Sequence, residues 1–319
     1  MGNLPQKQWF VILNPHAGSG RGQKDQAAIR KLLKKKEFSF KMAVSEYPKH
    51  TIRLTIQAIE TGYRKLIVAG GDGTLNEAVN GIFSQNICNP EEITLGMIPV
   101  GTGNDWIKTF GIPNSYKAAV RIIGRGATMR QDVGKITFTG DEPQKTSYFA
   151  NMAGFGFDAM VAEKTNRLKD KGKKGISLYL QALGASFLNY RTSKIRILID
   201  GQEIDELIFS VSIGIGKFNG GGMMQAPGAI PDNGLFQVTI IRKIGLFGIL
   251  SNLSGLYSGE FVKDHRVSTH TATRVSISSG KNIAGEADGE ILGDNKFEID
   301  LISKKLNVIF NPEKYLKFT

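Results

Sequence analysis

One carboxylate among three glycines marks the first candidate for chemistry: Gly70-Gly71-Asp72-Gly73, followed by Thr74-Leu75-Asn76-Glu77. The apolar run Lys65–Ala69 before it has the character of a buried parallel strand, and Leu75, Ala78, Val79 and Ile82 after it fall at helical spacing. A strand thus enters a glycine turn and a helix leaves it. Such a turn lets backbone approach a ligand closely, and the first N–H groups of the helix can bind anionic oxygens, so the stretch reads as a phosphate site. Asp72 would be repelled there unless a cation, such as the magnesium of a nucleotide, stands between, or an adjacent donor holds it. Thr74 with Glu77 matches a capping box at the helix start. The stretch is neither Walker A nor the dinucleotide G-x-G-x-x-G, and alone it is equally an ordinary strand-to-helix turn.

Two further turns of the same build follow strands. Trp9–Leu13 runs into Asn14-Pro15-His16-Ala17-Gly18-Ser19-Gly20-Arg21-Gly22 and a helix to about Lys36. Ile93–Val100 runs into Gly101-Thr102-Gly103-Asn104-Asp105 and a helix from Trp106 to Phe110. With a weak strand at Lys41–Val44 ending at Ser45-Glu46 and a helix at Thr51–Thr61, the first 125 residues alternate strand and helix. They predict an α/β nucleotide-binding domain with a parallel sheet, all three glycine turns at its carboxyl edge.

From Arg130 short alternating runs dominate: Val133–Phe138, Ser147–Ala150, Ile195–Ile199 turning at Asp200-Gly201, Leu207–Ile215, Phe236–Ile241, Val275–Ser278, Phe297–Leu301 and Leu306–Phe310. They predict a second, antiparallel β-sandwich-like domain. Two apolar helical stretches, Ile176–Leu188 and Leu246–Tyr257, read as core packing, with a lipid slot as the other use.

At 319 residues the chain calls for two domains, and 41% hydrophobic with 22% charged residues is ordinary globular composition. Cys88, the single cysteine, allows no internal disulfide, fits a reducing cytoplasm and reads as a buried small apolar side chain. Met1–Gln6 lacks signal-peptide and myristoylation patterns, and no apolar run is long enough to span a bilayer. The net charge of +12 asks for an anionic partner. Lys31–Lys36 suits a helix C-terminus; Lys164–Lys174 forms a loop-like basic stretch. No nucleic-acid signature occurs. His16, His50, His265 and His270 lack metal-ligand spacing.

Asn14-Pro15 with Gly18 and Gly20, Gly70–Glu77, Pro99–Asp105 and Asp288-Gly289-Glu290, in that order, resemble the diacylglycerol kinase catalytic family, which includes bacterial soluble lipid kinases and sphingosine kinases. The resemblance implies ATP- and Mg2+-dependent phosphorylation of a lipid hydroxyl, most simply diacylglycerol to phosphatidic acid in phospholipid biosynthesis. It implies a nucleotide domain over residues 1–128, a β-rich lipid domain over 129–305, and a segment 306–319 that returns to the first domain. Asn14, Pro15, Gly18, Gly20, Ser45 (where the family usually has threonine), Gly70, Gly71, Asp72, Gly73, Thr74, Leu75, Asn76, Gly101, Thr102, Gly103 and Asn104 would hold the nucleotide. Asp72, assisted by Asp132, would join the catalytic magnesium network, with Glu290 as general base beside Asp288. A structural magnesium site of the family is similar to Ile230-Pro231-Asp232-Asn233-Gly234-Leu235. Asn233, however, replaces the usual carboxylate, and a polar turn before Phe236 is the plain alternative.

The expected setting is cytoplasmic and peripheral, at the anionic inner membrane surface, with a homodimer left open. In an extended strand Asp288 and Glu290 would face one side; in a turn they would converge differently. Glu286 is a third carboxylate nearby. Rival readings are an NAD kinase, which shares Gly-Gly-Asp-Gly-Thr but not the two later motifs, and a catalytically silent nucleotide- or membrane-binding regulator. The sequence does not choose between diacylglycerol, a sphingoid base and ceramide.

Overall fold

A computed structural model describes residues 8–139, 144–170, 181–182, 184–186, 190, 192–245, 253–280 and 283–315. The chain divides into two compact units, Met1–Gln131 with Lys304–Thr319 and Asp132–Ser303.

The first unit runs β1 (Trp9–Leu13), α1 (Ala17–Lys35), β2 (Phe40–Val44), α2 (His50–Glu60), β3 (Lys65–Gly70), α3 (Asp72–Ser84), β4 (Thr94–Pro99), α4 (Asp105–Thr109) and α5 (Tyr116–Arg125). Strands pair in parallel in the order β4-β3-β1-β2. Val11–Leu13, Leu66–Ala69 and Leu95, Met97 and Ile98 are buried, as a sheet covered on both faces requires. The chain winds from β1 to β2 in one direction and from β3 to β4 in the other, so the winding reverses between β1 and β3. Ligands of such sheets bind at that reversal, outside the carboxyl ends of the strands. Helices α2 and α3 close tightly because Gly81 has no side chain: a Cβ there would lie 2.7 Å from Thr55 Cβ and 2.8 Å from the Ile52 carbonyl oxygen.

The second unit takes in most of β5 (Thr128–Thr139), then β6 (Lys145–Phe149), β7 (Met152–Gly156), α6 (Phe157–Asp170), β8 (Ser193–Ile199), β9 (Gln202–Gly214), β10 (Phe236–Arg242), α7 (Leu253–Ser258), β11 (Val267–Ala272), β12 (Arg274–Ser279), β13 (Ile283–Ala287) and the long β14 (Glu290–Ile309). The registered strand pairs of this unit are antiparallel. One layer runs β11-β10-β9-β7-β13-β14; β8 and β12 join the far ends of β9 and β14, which pass from one layer to the other. Between them lies a core that includes Ile136, Phe149, Phe155, Ile197, Val211, Phe236, Val238, Ile277 and Phe297. Asp200 and Gly201, with φ 45 and 88, form the two-residue turn of the β8–β9 hairpin.

At its end the chain rejoins the first unit. Asn307 and Val308 pair in parallel with Thr94 and Leu95, the Asn311 side chain donates to the Gly111 carbonyl at 3.1 Å, and Tyr315 of α8 (Pro312–Tyr315) is buried against Phe110.

Three expectations change. The loop-like basic stretch is helical through Asp170, because Val161 and Leu168 share one face that packs on Phe157 and Phe209 while Glu163 and Arg167 pair at 2.5 Å on another. Cys88 is only partly buried: it sits in a surface turn whose backbone N–H groups bond the Gln85 side chain, and burial raises its thiol pKa. Strand β7, Met-Ala-Gly-Phe-Gly, was not expected as a strand at all. Residues 1–7, 171–174, 176–180, 183, 187–188 and 246–252, on which the N-terminal, basic-stretch and apolar-helix expectations partly rest, lie outside the described residues.

Candidate active site

In the first unit the three glycine turns are joined to one another. The Asn14 side chain, following β1, donates to the Thr74 hydroxyl in α3 at 3.0 Å, across the reversal point of the sheet. The Arg21 guanidinium donates to the Gly101 carbonyl at 2.8 Å, and the Asn104 amide donates to the same oxygen at 2.8 Å. Backbone meets backbone where glycines leave room: a Cβ on Gly101 would stand 2.5 Å from Gly71 Cα, and one on Gly18 would stand 2.2 Å from the Val100 carbonyl oxygen. Gly18, Ser19 and Gly20 are left-handed (φ 60, 61 and 89), so the regular turns of α1 begin only after them. Asn104 is left-handed too, and its Oδ1 is buried without a partner among the described residues. That buried acceptor suits a hydroxyl, an amine or a water.

Asp72 is held by a donor: its Oδ1 accepts the Trp106 N–H at the start of α4, 3.1 Å away. Trp106 is in turn fixed by full burial and by its indole N–H, which donates to Gln131 at 3.0 Å. Thr102 is exposed at the tip of its turn, whereas Leu75 and Asn76 face inward, Asn76 accepting from Asn80. Ser45 is buried, its N–H donating to the Leu13 carbonyl. The capping-box reading of Thr74 and Glu77 is corrected. Helix α3 begins at Asp72, too early for Thr74 to be its cap, and Glu77 instead accepts the N–H groups of Lys49 and Thr51 at 3.0 and 3.1 Å, capping α2.

In the second unit Asp288 and Gly289 (φ 48 and 87) are the two-residue turn between β13 and β14, and Glu290 is the first residue after it. The turn geometry applies, not the extended one. The Asp288 carboxylate accepts three consecutive backbone N–H groups, Ala150 at 2.9 Å, Asn151 at 3.1 Å and Met152 at 2.8 Å. The Asn166 amide donates to the Gly289 carbonyl at 2.9 Å. Glu286 accepts the Gly289 N–H at 2.7 Å, and its burial pushes its carboxyl pKa well up, with the Asp288 and Asp158 charges adding to the rise. Asp158, in the first turn of α6, is likewise raised by burial, although the Ser212 hydroxyl donates to it at 2.8 Å. Sequence reasoning passed over Asp158; a carboxylate in the apolar setting Phe155-Gly156-Phe157 was the available signal.

Asp132 is fully buried and accepts the Gly234 N–H at 2.7 Å and the Ser303 hydroxyl at 3.1 Å. It thereby anchors the Ile230–Leu235 segment, which forms a polar turn before β10, with Asn233 Oδ1 accepting the Leu235 N–H at 3.0 Å. Among the described residues no group of three His, Cys, Asp or Glu is gathered as a metal cage. Magnesium bound through one or two carboxylates, waters and substrate phosphates needs no such cage, and Asp72 beside the glycine turns fits that mode.

The model of the Diacylglycerol kinase catalytic domain matches residues 8–136, and that of the YegS C-terminal NAD kinase beta sandwich-like domain matches residues 151–310. A diacylglycerol kinase of Staphylococcus carnosus is 28% identical over 289 residues, 90% of each chain. One of Mycobacterium tuberculosis is 28% identical over 304 residues, 94% of each. A solved structure described as a diacylglycerol kinase from Bacillus anthracis shares the fold, with TM-score 0.71 and 20% identity over 96% of this chain and 98% of that one. The chain belongs to the bacterial soluble diacylglycerol and lipid kinase family, kinases that characteristically use a nucleotide. No helix among the described residues is long and apolar enough to cross a membrane.

Proposed function

We propose that this chain is an ATP-dependent lipid kinase that phosphorylates a lipid hydroxyl, with diacylglycerol as acceptor and phosphatidic acid as product. The observation that carries the reading is the Asn14–Thr74 bond, which ties two glycine turns together where the parallel sheet reverses its winding. Residues 1–128 act as the nucleotide domain and 129–305 as the lipid domain, with 306–319 completing the first. The turn amides and Gly70–Asn76 hold phosphates, and Thr102, Asn104 and Ser45 contact the nucleotide. Bound magnesium supplies charge neutralisation on the transferring phosphoryl group. Asp72, kept in place by the Trp106 N–H, would be its ligand, with Asp132 assisting.

Glu290 takes the proton from the lipid hydroxyl as the oxygen attacks the γ-phosphorus and ADP leaves; Asp288 fixes the turn that bears it. The protein works in the cytoplasm, at an anionic inner membrane surface. We expect Glu290→Gln to lower kcat at least about a hundredfold, the usual worth of a general base, while ATP still binds in a fluorescence titration. Near-normal turnover on diacylglycerol micelles would remove Glu290 from the mechanism. An NAD kinase, which shares Gly-Gly-Asp-Gly-Thr with residues 70–74, is the second reading. ADP release measured with diacylglycerol against NAD separates the two, and a panel of lipid alcohols fixes the acceptor.

A further inference from the structure

Glu286 is a buried acid that the proposed reaction does not use, and its contacts lead to the catalytic turn. It is 2% exposed, its Oε2 accepts the Gly289 N–H at 2.7 Å, and it lies opposite Gly154 in the pairing of β13 with β7. Gly154 makes the room: a Cβ there would stand 2.8 Å from Glu286 Oε1 and 2.9 Å from Asp158 Cβ. The β13–β14 register shifts between Gly285 and Glu286, the kind of irregularity that re-aims a side chain beside a site. Glu286 and Asp288 thus hold the same two-residue turn, one by the Gly289 N–H and the other by the backbone of residues 150–152.

We propose that Glu286 is a positioning residue: by reaching the Gly289 N–H it fixes the turn that bears Glu290, through its length and an acceptor oxygen. The inference rests on the reading of Glu290 as the base. Burial first, and then the acidic neighbours Asp288 and Asp158, hold the Glu286 carboxyl well above the usual carboxylate range. A neutral amide of equal length offers Gly289 the same carbonyl oxygen. An aspartate is shorter by one C–C bond, about 1.5 Å, which takes the contact beyond hydrogen-bond range.

The test compares Glu286→Gln with Glu286→Asp in the full chain. It measures kcat and KM for ATP with diacylglycerol micelles, and the amide exchange of Gly289. The glutamine variant is expected to stay within about threefold of wild-type kcat, and the aspartate variant to fall at least about tenfold with KM for ATP unchanged, since small misplacement of a reacting group costs that much or more. Gly289 exchange should quicken in the aspartate variant alone. An aspartate variant as active as the glutamine one, or more so, overturns the proposal, as does unchanged Gly289 exchange in it. Should Glu290→Gln retain turnover, the base assignment fails by itself, and the order of the two variants in Gly289 exchange still decides what Glu286 does.

Discussion

Asp288 shows how one short side chain can serve as a clasp. Its two oxygens accept three successive N–H groups, and hydrogen bonds to an ionised carboxylate are roughly twice as strong as neutral ones. Asp288→Ala should therefore lower the urea-unfolding free energy of the chain by about 2–4 kcal/mol, leaving three partly buried donors without their acceptor. Asp200 does the same work at the β8–β9 turn. Burial would raise its pKa, but the Thr273 and Arg274 N–H groups and the Thr273 hydroxyl outweigh that and leave it below the ordinary value. A depressed carboxyl stabilises the fold above its unfolded pKa, about 3.9, and that contribution disappears as pH falls through the folded value. Asp200→Asn should accordingly lower stability near pH 7 and flatten the acid side of a stability-versus-pH profile, the two chains converging at low pH. An unaltered acid limb would contradict this.

At the scale of elements, the turns after β1, β3 and β4 act as one piece because glycine backbones touch where side chains cannot fit. Gly101→Ala places a methyl group 2.5 Å from Gly71 Cα, closer than any Cβ contact tolerates. We expect it to weaken ATP binding by at least about tenfold, one of the two turns having to move, and to leave lipid-stimulated activity correspondingly low. Isothermal titration with ATP checks this; wild-type affinity would mean the turns need not abut. Strand β7 shows the opposite problem of legibility. Met-Ala-Gly-Phe-Gly carries no alternation and two glycines, yet it is a fully buried central strand, because Gly154 makes room for Glu286 and Asp158, and Gly156 is left-handed (φ 77). Gly154, which weakens the strand signal, makes room for the Glu286 carboxyl of another strand, and Gly156 for the Tyr190 hydroxyl.

Over the whole molecule, 41 basic against 29 acidic residues give a positive field that attracts an anionic surface. Helix α6 adds Lys164 and an exposed Arg167 close to the turn that bears Glu290, to which the neighbouring Asn166 is bonded. Co-sedimentation with phosphatidylglycerol vesicles is expected to weaken steeply between low salt and about 0.1 M, where screening acts within about 10 Å. Binding indifferent to salt would replace this electrostatic account with apolar insertion.

The sequence by itself determined the architecture of the first unit and the place of its three turns, because strand, glycine turn and helix follow one another within about twenty residues and local pattern suffices to read them. It also located the Asp200-Gly201 hairpin and the Asp288-Gly289-Glu290 motif. Tertiary structure decided who bonds to whom. Glu77 caps α2 rather than its own helix, Asp72 is held from α4, Asp132 anchors a turn about a hundred residues further on, and Glu286 and Asp288 jointly fix one turn. Each of these pairs a polar group with a partner chosen by proximity in space. Hydrogen-bond satisfaction of buried groups depends on burial and distance, which no local pattern of residues encodes.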